Sequence, residues 1–357
     1  MLFSHHYYMK KIPLTLNEQQ VLYGLVKYPD LNDSELHEKL DIKLSTLTSI
    51  KRRLYQEGYL QTLIVPMINH FGCELLAVIY TEFNPVIPLE ERVLTTKETI
   101  EVFNEIFFSV GEQEKGFSIS LSKNYTNIGK INDIRTETFG KAGLLEKEYP
   151  SELIFPFETS KISHFFDFSR VLQQYFFDEQ TDTVGLGEWF KPMEFSELTA
   201  HEQKTYTALI QNPEFTTQQI GELIGLSRHT VSRMKKDFFN KGFLRMLRLP
   251  SMSGLGFEIL AFYHLKFNPQ HPPSSKDFKV LNTSSTFFLA QRKFGAIILA
   301  AYPTYQDYKE DKMHKIRYLK EQDLLSQTPL VRKYMFERMN IIKDFTFAPL
   351  AQQFMIE

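Results

Sequence analysis

Residues 228–236 read Arg228-His229-Thr230-Val231-Ser232-Arg233-Met234-Lys235-Lys236. Placed on a helix, Val231, Met234 and Phe238 fall at i, i+3 and i+7 and share one apolar face. Arg228, His229, Ser232, Arg233 and Lys236 then point the other way. Guanidinium, imidazole and hydroxyl groups in such a row can hydrogen-bond base edges, and the cations can neutralise phosphates. The chemistry on offer is non-covalent recognition of double-stranded DNA. Arg228, His229, Thr230 and Ser232, near the helix start, are placed for bases. Arg233, Lys235 and Lys236, with Arg245 and Arg248 beyond the helix, are placed for phosphates.

The surrounding sequence supplies the elements that would hold this row. Residues 202–212 carry Tyr206, Leu209 and Ile210 at helical spacing and stop at Pro213. A second short helix is expected over 217–224, with Ile220, Leu223 and Ile224 apolar. Gly225-Leu226-Ser227 then makes a tight turn, with Ser227 as N-cap of the third helix. Gly242 ends that helix, and residues 243–249 alternate into an expected strand pair. Three helices and a strand hairpin make a winged helix-turn-helix, which lays its third helix in the major groove.

The same pattern occurs earlier in the chain. Residues 14–85 align with 198–269 at a constant offset of 184, with 20 identities in 72 pairs, including Phe83-Asn84-Pro85 and Phe267-Asn268-Pro269. The earlier reading helix presents Ser45, Thr46, Thr48, Lys51, Arg52 and Arg53, and its wing, Gln61-Thr62-Leu63-Ile64, has no cation. Residues 14–66 hold 6 Lys/Arg against 7 Asp/Glu, and residues 198–250 hold 8 against 4. The two heads are therefore expected to bind unequally.

Each copy continues, with Gly116 aligned on Gly295 at offset 179, into an apolar strand (74–83 and 258–267), a variable stretch, a strand pair joined near that glycine, a charged helix, and a last aromatic segment. Strand, helix, two strands, helix, strand is the ferredoxin-like order. Such a sheet has one face free of helices, and the other copy's sheet is its natural cover. The expected fold is α+β, an intramolecular pseudo-dimer: winged helix-turn-helix 12–68, ferredoxin-like domain 69–177, linker 178–195, winged helix-turn-helix 196–252, ferredoxin-like domain 253–357. Trp189 is expected to anchor the linker.

At these positions the chain resembles the Lrp/AsnC family of prokaryotic transcription regulators. The carrying residues are Ile220-Gly221-Glu222-Leu223-Ile224-Gly225-Leu226-Ser227, Val231, Lys235, Gly242-Phe243-Leu244, Leu255-Gly256-Phe257 and Ala261-Phe262. The resemblance implies paired ferredoxin-like effector domains, palindromic DNA as partner, and room for a small-molecule effector between those domains. That family's acidic residue after the hairpin glycine is absent, since the chain reads Phe117-Ser118-Ile119 and Ala296-Ile297-Ile298; no effector residue is carried over.

Two other readings stand beside the regulator. One is a scaffold whose winged helices bind protein. The other is an enzyme resembling siroheme decarboxylases, tandem proteins of the same architecture with a histidine followed by Asn-Tyr, and an arginine, near the second effector strand. The matching stretches here are Phe107-Phe108-Ser109-Val110-Gly111 and Phe287-Phe288-Leu289-Ala290-Gln291, with no histidine. His164 and His264 lie in aromatic runs and are expected to be core or hydrogen-bonded residues rather than ligands.

Composition narrows the rest. The chain has 357 residues, a net charge of −2 and one cysteine, Cys73, so no intrachain disulfide forms. There is no apolar run of membrane length and no signal-peptide layout, and a cytoplasmic location is expected. No Gly-rich phosphate loop or nucleophile elbow occurs. His5-His6 has no companion ligands, and Tyr7-Tyr8 with Lys10-Lys11 forms at most a basic arm. The expectation is therefore no enzyme, no catalytic residue, no metal and no cofactor, with homodimerisation of the whole chain left open.

Overall fold

The computed structural model describes residues 13–145, 148–179 and 188–356. The His5-His6 pair, the Tyr7-to-Lys11 arm and the linker glycines Gly185 and Gly187 lie outside them. The architecture is α+β, and its element order runs through twice. The first pass begins with α1 (Leu16–Lys27), α2 (Asp33–Leu40), α3 (Leu44–Gln56) and β1 (Leu60–Pro66). It continues with β2 (Leu75–Glu82), α4 (Leu89–Glu101), β3 (Ile106–Glu112), β4 (Lys115–Ser122), α5 (Tyr125–Lys141), β5 (Ser151–Pro156), β6 (Ser160–Ser163) and α6 (Ser169–Phe177). The second pass opens with α7 (Ala200–Gln211), α8 (Thr217–Ile224), α9 (Arg228–Asn240) and β7 (Leu244–Pro250). Then come β8 (Ile259–Lys266), α10 (Ser275–Leu281), β9 (Thr286–Arg292), β10 (Gly295–Tyr302), α11 (Tyr305–Glu321), β11 (Leu330–Met335), β12 (Asn340–Lys343) and α12 (Ala348–Ile356).

Local chemistry sets the helix ends. Thr15 with Glu18, and Thr199 with Glu202, close capping boxes at α1 and α7. Ser227 Oγ accepts the Thr230 amide at 3.1 Å, so the expected N-cap of α9 is made. Gly225 ends α8 in the left-handed region at φ +74°, and Asp41 takes that conformation after α2 at φ +52°. A short polar side chain tolerates it far better than a branched one. Gly221 is required by packing, because a Cβ there would sit 2.5 Å from the Leu226 carbonyl oxygen.

The strand hairpin expected after each third helix does not form. Each pass contributes one strand, and β1 pairs with β7 in a two-stranded ribbon. Pro66 and Pro250 end these strands, where the missing amide stops a ladder. No further strand begins until β2 or β8.

Two compact units result. Among the described residues, one gathers those within Met1–Gln61, Thr159–Trp189 and Leu247–Arg338; the other gathers those within Thr62–Glu158, Phe190–Met246 and Met339–Glu357. Chain order is therefore not packing order. The first unit's sheet runs β11-β8-β10-β9-β6, so β6 from the first pass completes a sheet built by the second. The second unit's sheet runs β12-β3-β4-β2-β5, with β12 from the second pass on a first-pass sheet. Ile162 pairs with Ala290 in one sheet, and Ile341 with Val110 in the other. Each borrowed strand covers an edge that would otherwise expose unpaired backbone groups.

Strand bounds also correct one equivalence. β4 begins at Lys115 and β10 at Gly295, so the counterpart of Gly116 is Ala296 rather than Gly295. In the first unit, Ile259, Ala261, Tyr263 and Leu265 of β8 join Ala296, Ile298 and Ala300 of β10 in an apolar core with Leu319 of α11. In the second, Leu75 and Ala77 pack with Ile100, Ile128 and Ile131 of α4 and α5.

Candidate functional site

On α9 the expected recognition face is present. Arg228, His229, Ser232, Arg233 and Lys236 are exposed, while Val231 and Phe238 are buried. Thr230 is half-buried, its hydroxyl 2.9 Å from Ser227 Oγ. Lys235 is half-buried too, and burial pulls its ammonium pKa down. Arg245 is half-buried on β7. Arg248 is buried at 8% exposure, with Nε and one terminal nitrogen lacking a hydrogen-bond partner. Lys235 and Arg248 thus lack the open exposure that phosphate contact asks of them.

On α3, Ser45, Thr48 and Arg52 are exposed, and Thr46 is half-buried. The other two cations are engaged inside the helical trio. Lys51 pairs with Asp33 at 2.6 Å, and Arg53 pairs with Glu18 and with Glu57 at 3.6 Å. The inequality expected from charge counts therefore has a structural counterpart, because side chains committed to carboxylates are not free to replace counterions on a phosphate.

The second concentration of chemistry was not anticipated. It lies on the face of the first unit's sheet that turns away from the apolar core. Period-two alternation puts Phe262, His264 and Lys266 of β8 on that face, because Ala261, Tyr263 and Leu265 point into the core. Three strands then line up Lys266, Gly295 and Arg292 in one row, with no side chain in the middle. Across two strand spacings the flanking Cα atoms stand about 10 Å apart. In the next row His264 faces Ile297 and Leu330, and in the row beyond it Arg332 of β11 faces Phe262. His264 and Arg332 are buried at 8% and 7% exposure. Burial, together with the positive charges of Lys266 and Arg292, pushes the His264 pKa down to about 4. His264 was expected as a core or hydrogen-bonded residue, and it is buried. The overlooked signal was that Arg292, Arg332 and Lys266 share its face once the register is known.

His164 also proves buried, at 3% exposure, in a polar cluster of the same unit. Arg170 Nη1 donates to Asn282 Oδ1 at 2.9 Å, which fixes the amide, and the amide nitrogen lies 2.7 Å from His164 Nε2. Nε2 must then accept, so the proton of the neutral ring sits on Nδ1, 3.9 Å from Asp167 Oδ2. Among the described residues no group of three or more His, Cys, Asp or Glu could hold a metal, and no helix is long and apolar enough to cross a membrane.

No protein-family profile matches the sequence, and no curated protein is detectably similar to it. Solved structures do match. The siroheme decarboxylase NirDL is similar with a TM-score of 0.52 and 8% identity, over 95% of this chain and 99% of that one. The same enzyme in complex with an iron-uroporphyrin III analogue matches with a TM-score of 0.53 and 9% identity, again over 95% and 99%. A shorter match is to AsnC of E. coli, with a TM-score of 0.31 and 13% identity, over 39% of this chain and 93% of that one. The chain thus shares its fold with the NirDL structures along nearly its whole length. The expectation that it is not an enzyme is corrected accordingly, because the structure matched over that length is an enzyme's.

Proposed function

We propose that the chain is an enzyme of the siroheme-decarboxylase type, binding the carboxylates of a polycarboxylated tetrapyrrole at the exposed Lys266–Arg292 end of the helix-free face of the β8–β11 sheet. In this reading the expected modules stand as Lrp/AsnC-like helix-turn-helix trios and ferredoxin-like domains, duplicated in one chain and exchanging their tails. The sheet order β5-β2-β4-β3 supports the ferredoxin-like assignment. The observation that carries the functional reading is the placing of His264 among Lys266, Arg292 and Arg332 on one face.

Side-arm carboxylates on a macrocycle need cations spaced by about its own width, and Lys266 and Arg292, about 10 Å apart, offer that spacing. Loss of CO2 breaks the bond between an arm carbon and its carboxyl, leaves the electron pair on that carbon, and requires one proton there. Without a ligand His264 is neutral at pH 7, its pKa held near 4. Carboxylates paired with Lys266 and Arg292 cancel the two charges that depress it. The pKa then rises, and the imidazole takes up the proton it is to deliver. This assigns to His264 the acid role left vacant at residues 107–111 and 287–291.

Absorbance titration of the purified chain with siroheme and with iron-uroporphyrin, followed by product masses, tests the proposal. Saturable binding with stepwise loss of CO2 is expected. His264→Gln should keep binding and lose at least about 100-fold in turnover. Failure of both tetrapyrroles to bind the intact chain would sink it.

A second reading, DNA binding, is favoured by one observation. Arg228, Arg233 and Lys236 are exposed on a well-capped α9, and no ion pair is recorded for them among the described residues. Base contacts from Arg228, His229 and Ser232 and phosphate contacts from Arg233 and Lys236 would follow.

A further inference from the structure

The helix-covered faces of the two sheets differ in a way the fold does not require. In the first unit that face is apolar, with Leu265, Leu289, Ile298 and Ala300 in the core. At the equivalent strand positions the second unit carries Thr81, Ser109, Ser118 and Ser120, all buried. Above them lie two guanidinium groups, Arg92 of α4 and Arg135 of α5, exposed by only 4% and 2%. A pocket open to solvent lies between α4, α5 and strands β2–β4, and both arginines line it.

Arg135 has no carboxylate partner among the described residues, and Arg92 has only the more distant charge of Glu114. Arg135 donates from Nη1 to Ser118 Oγ at 2.9 Å, while its Nε has no hydrogen-bond partner. Arg92 lies over the Phe83 ring, its guanidinium carbon 5.6 Å from the centroid. No ion pair to a carboxylate is recorded for either among the described residues. The helix equivalent of Arg135 is Lys315, one residue past the tenth in both α5 and α11, and Lys315 is answered in full. It pairs with Asp311 and donates to Thr283 Oγ1 at 2.7 Å. The place of Asp311 is taken in α5 by Ile131, a core residue. The second unit has thus kept a buried cation and placed an apolar residue where its counter-ion would sit. Burial with no compensating charge pulls the Arg135 pKa down to about 10, as expected for a cation short of a partner.

We infer that this cavity binds a small carboxylate with an apolar body and no amino group. A carboxylate matches the fork of a guanidinium and supplies the missing charge. Phe83, Val93, Ile100, Val110 and Phe117 give the remaining wall an apolar surface that suits an aliphatic or aromatic tail. Glu112, a carboxylate on the lining, lies 4.0 Å from Lys115 and so already faces a cation, which leaves an ammonium group poorly provided for. The unmatched hydroxyl of Thr96, also on the lining, offers a further hydrogen bond. This site is distinct from the face carrying His264 and does not depend on the tetrapyrrole reading.

Calorimetry and thermal melting of the full chain with isovalerate and 3-phenylpropionate test it, with leucine, isopentanol and inorganic phosphate as controls. The two carboxylates should bind saturably and raise Tm, and the controls should bind far more weakly. Arg135→Gln should weaken the carboxylates by about 10- to 100-fold, and Arg135→Lys should restore part of the loss. Arg92→Gln serves as the independent variant if Arg135→Gln does not fold. Absence of binding by both carboxylates, equal binding by leucine or phosphate, or unchanged affinity in the folded glutamine variants would overturn the inference. His264→Gln should leave carboxylate binding intact, which separates a failure here from a failure of the proposed catalytic face.

Discussion

Phe168 stacks on Phe287 with ring centroids 4.4 Å apart and planes 18° apart, although the two come from different halves of the chain. Its counterpart in the other unit is Phe347 on Phe107, at 4.8 Å and 25°. Each ring follows a borrowed strand, β6 or β12, and pins it to a sheet built by the other pass. Phe168→Ala or Phe347→Ala should therefore cost about 3–5 kcal/mol, the range for emptying a buried aromatic position. Urea unfolding checks this. A loss below 1 kcal/mol for both would mean that the exchanged tails are held by backbone pairing alone.

Lys315 and Arg135 should respond oppositely to removal of charge. Lys315→Met leaves Asp311 without its cation in a largely buried place, a change that costs about 3 kcal/mol or more. Arg135→Met removes a cation that no carboxylate among the described residues offsets, so stability should hold or rise. Denaturant midpoints of the two variants decide the matter, and equal destabilisation would contradict the contrast between the units.

Asn282 links Arg170 to His164 through its two amide atoms. Asn282→Leu should destabilise by about 1–3 kcal/mol, because it strands the buried His164 on one side and the half-buried Arg170 on the other. Nitrogen NMR of the intact chain should find the His164 proton on Nδ1. A proton on Nε2 would refute the hydrogen-bond link through Asn282.

The pH dependence follows from His264. Its pKa is held near 4 in the folded chain, against an ordinary value of 6.5. As pH falls below about 6.5, the unfolded chain takes up this proton while the folded chain does not. The stability it contributes is therefore whole above that pH, shrinks on the way down, and is lost as pH passes 4. His264→Gln should flatten the stability curve between those limits. An unchanged slope would mean that another group governs acid unfolding.

For DNA the two reading helices should separate cleanly. Arg233→Ala or Lys236→Ala should weaken all sequences alike and lower the salt slope by about one unit each. Lys51→Ala should leave the slope unchanged, because Asp33 already holds that ammonium. If the intact chain shows no salt-dependent DNA binding, the second reading falls and α9 is a structural helix.

Much of the fold was legible because its signals are local. The N-cap at Ser227, the turn at Gly225 and the apolar stripe through Val231 and Phe238 are set by neighbours a few residues away, and they appear as expected. The repeat also pointed to equivalent elements in both halves. The wing hairpins failed because alternation in residues 60–66 and 244–250 shows that a strand forms without naming its partner. The glycine alignment slipped by one residue for the same reason, since only the ladder registers Lys115 against Gly295.

By itself, then, the sequence determined the helix starts and stops, the alternating strands, and the richer positive charge of the second reading helix. These depend on propensity, capping and periodicity over short spans. Only the tertiary structure decided which strand completes which sheet, and which charged groups share a face. Lys266, His264, Arg292 and Arg332 become neighbours through pairing among four strands. Arg135 is left without a counter-ion among the described residues because the residue one helical turn earlier is Ile131. A charge's partners depend on distance in space, and spacing along the chain carries no record of that distance.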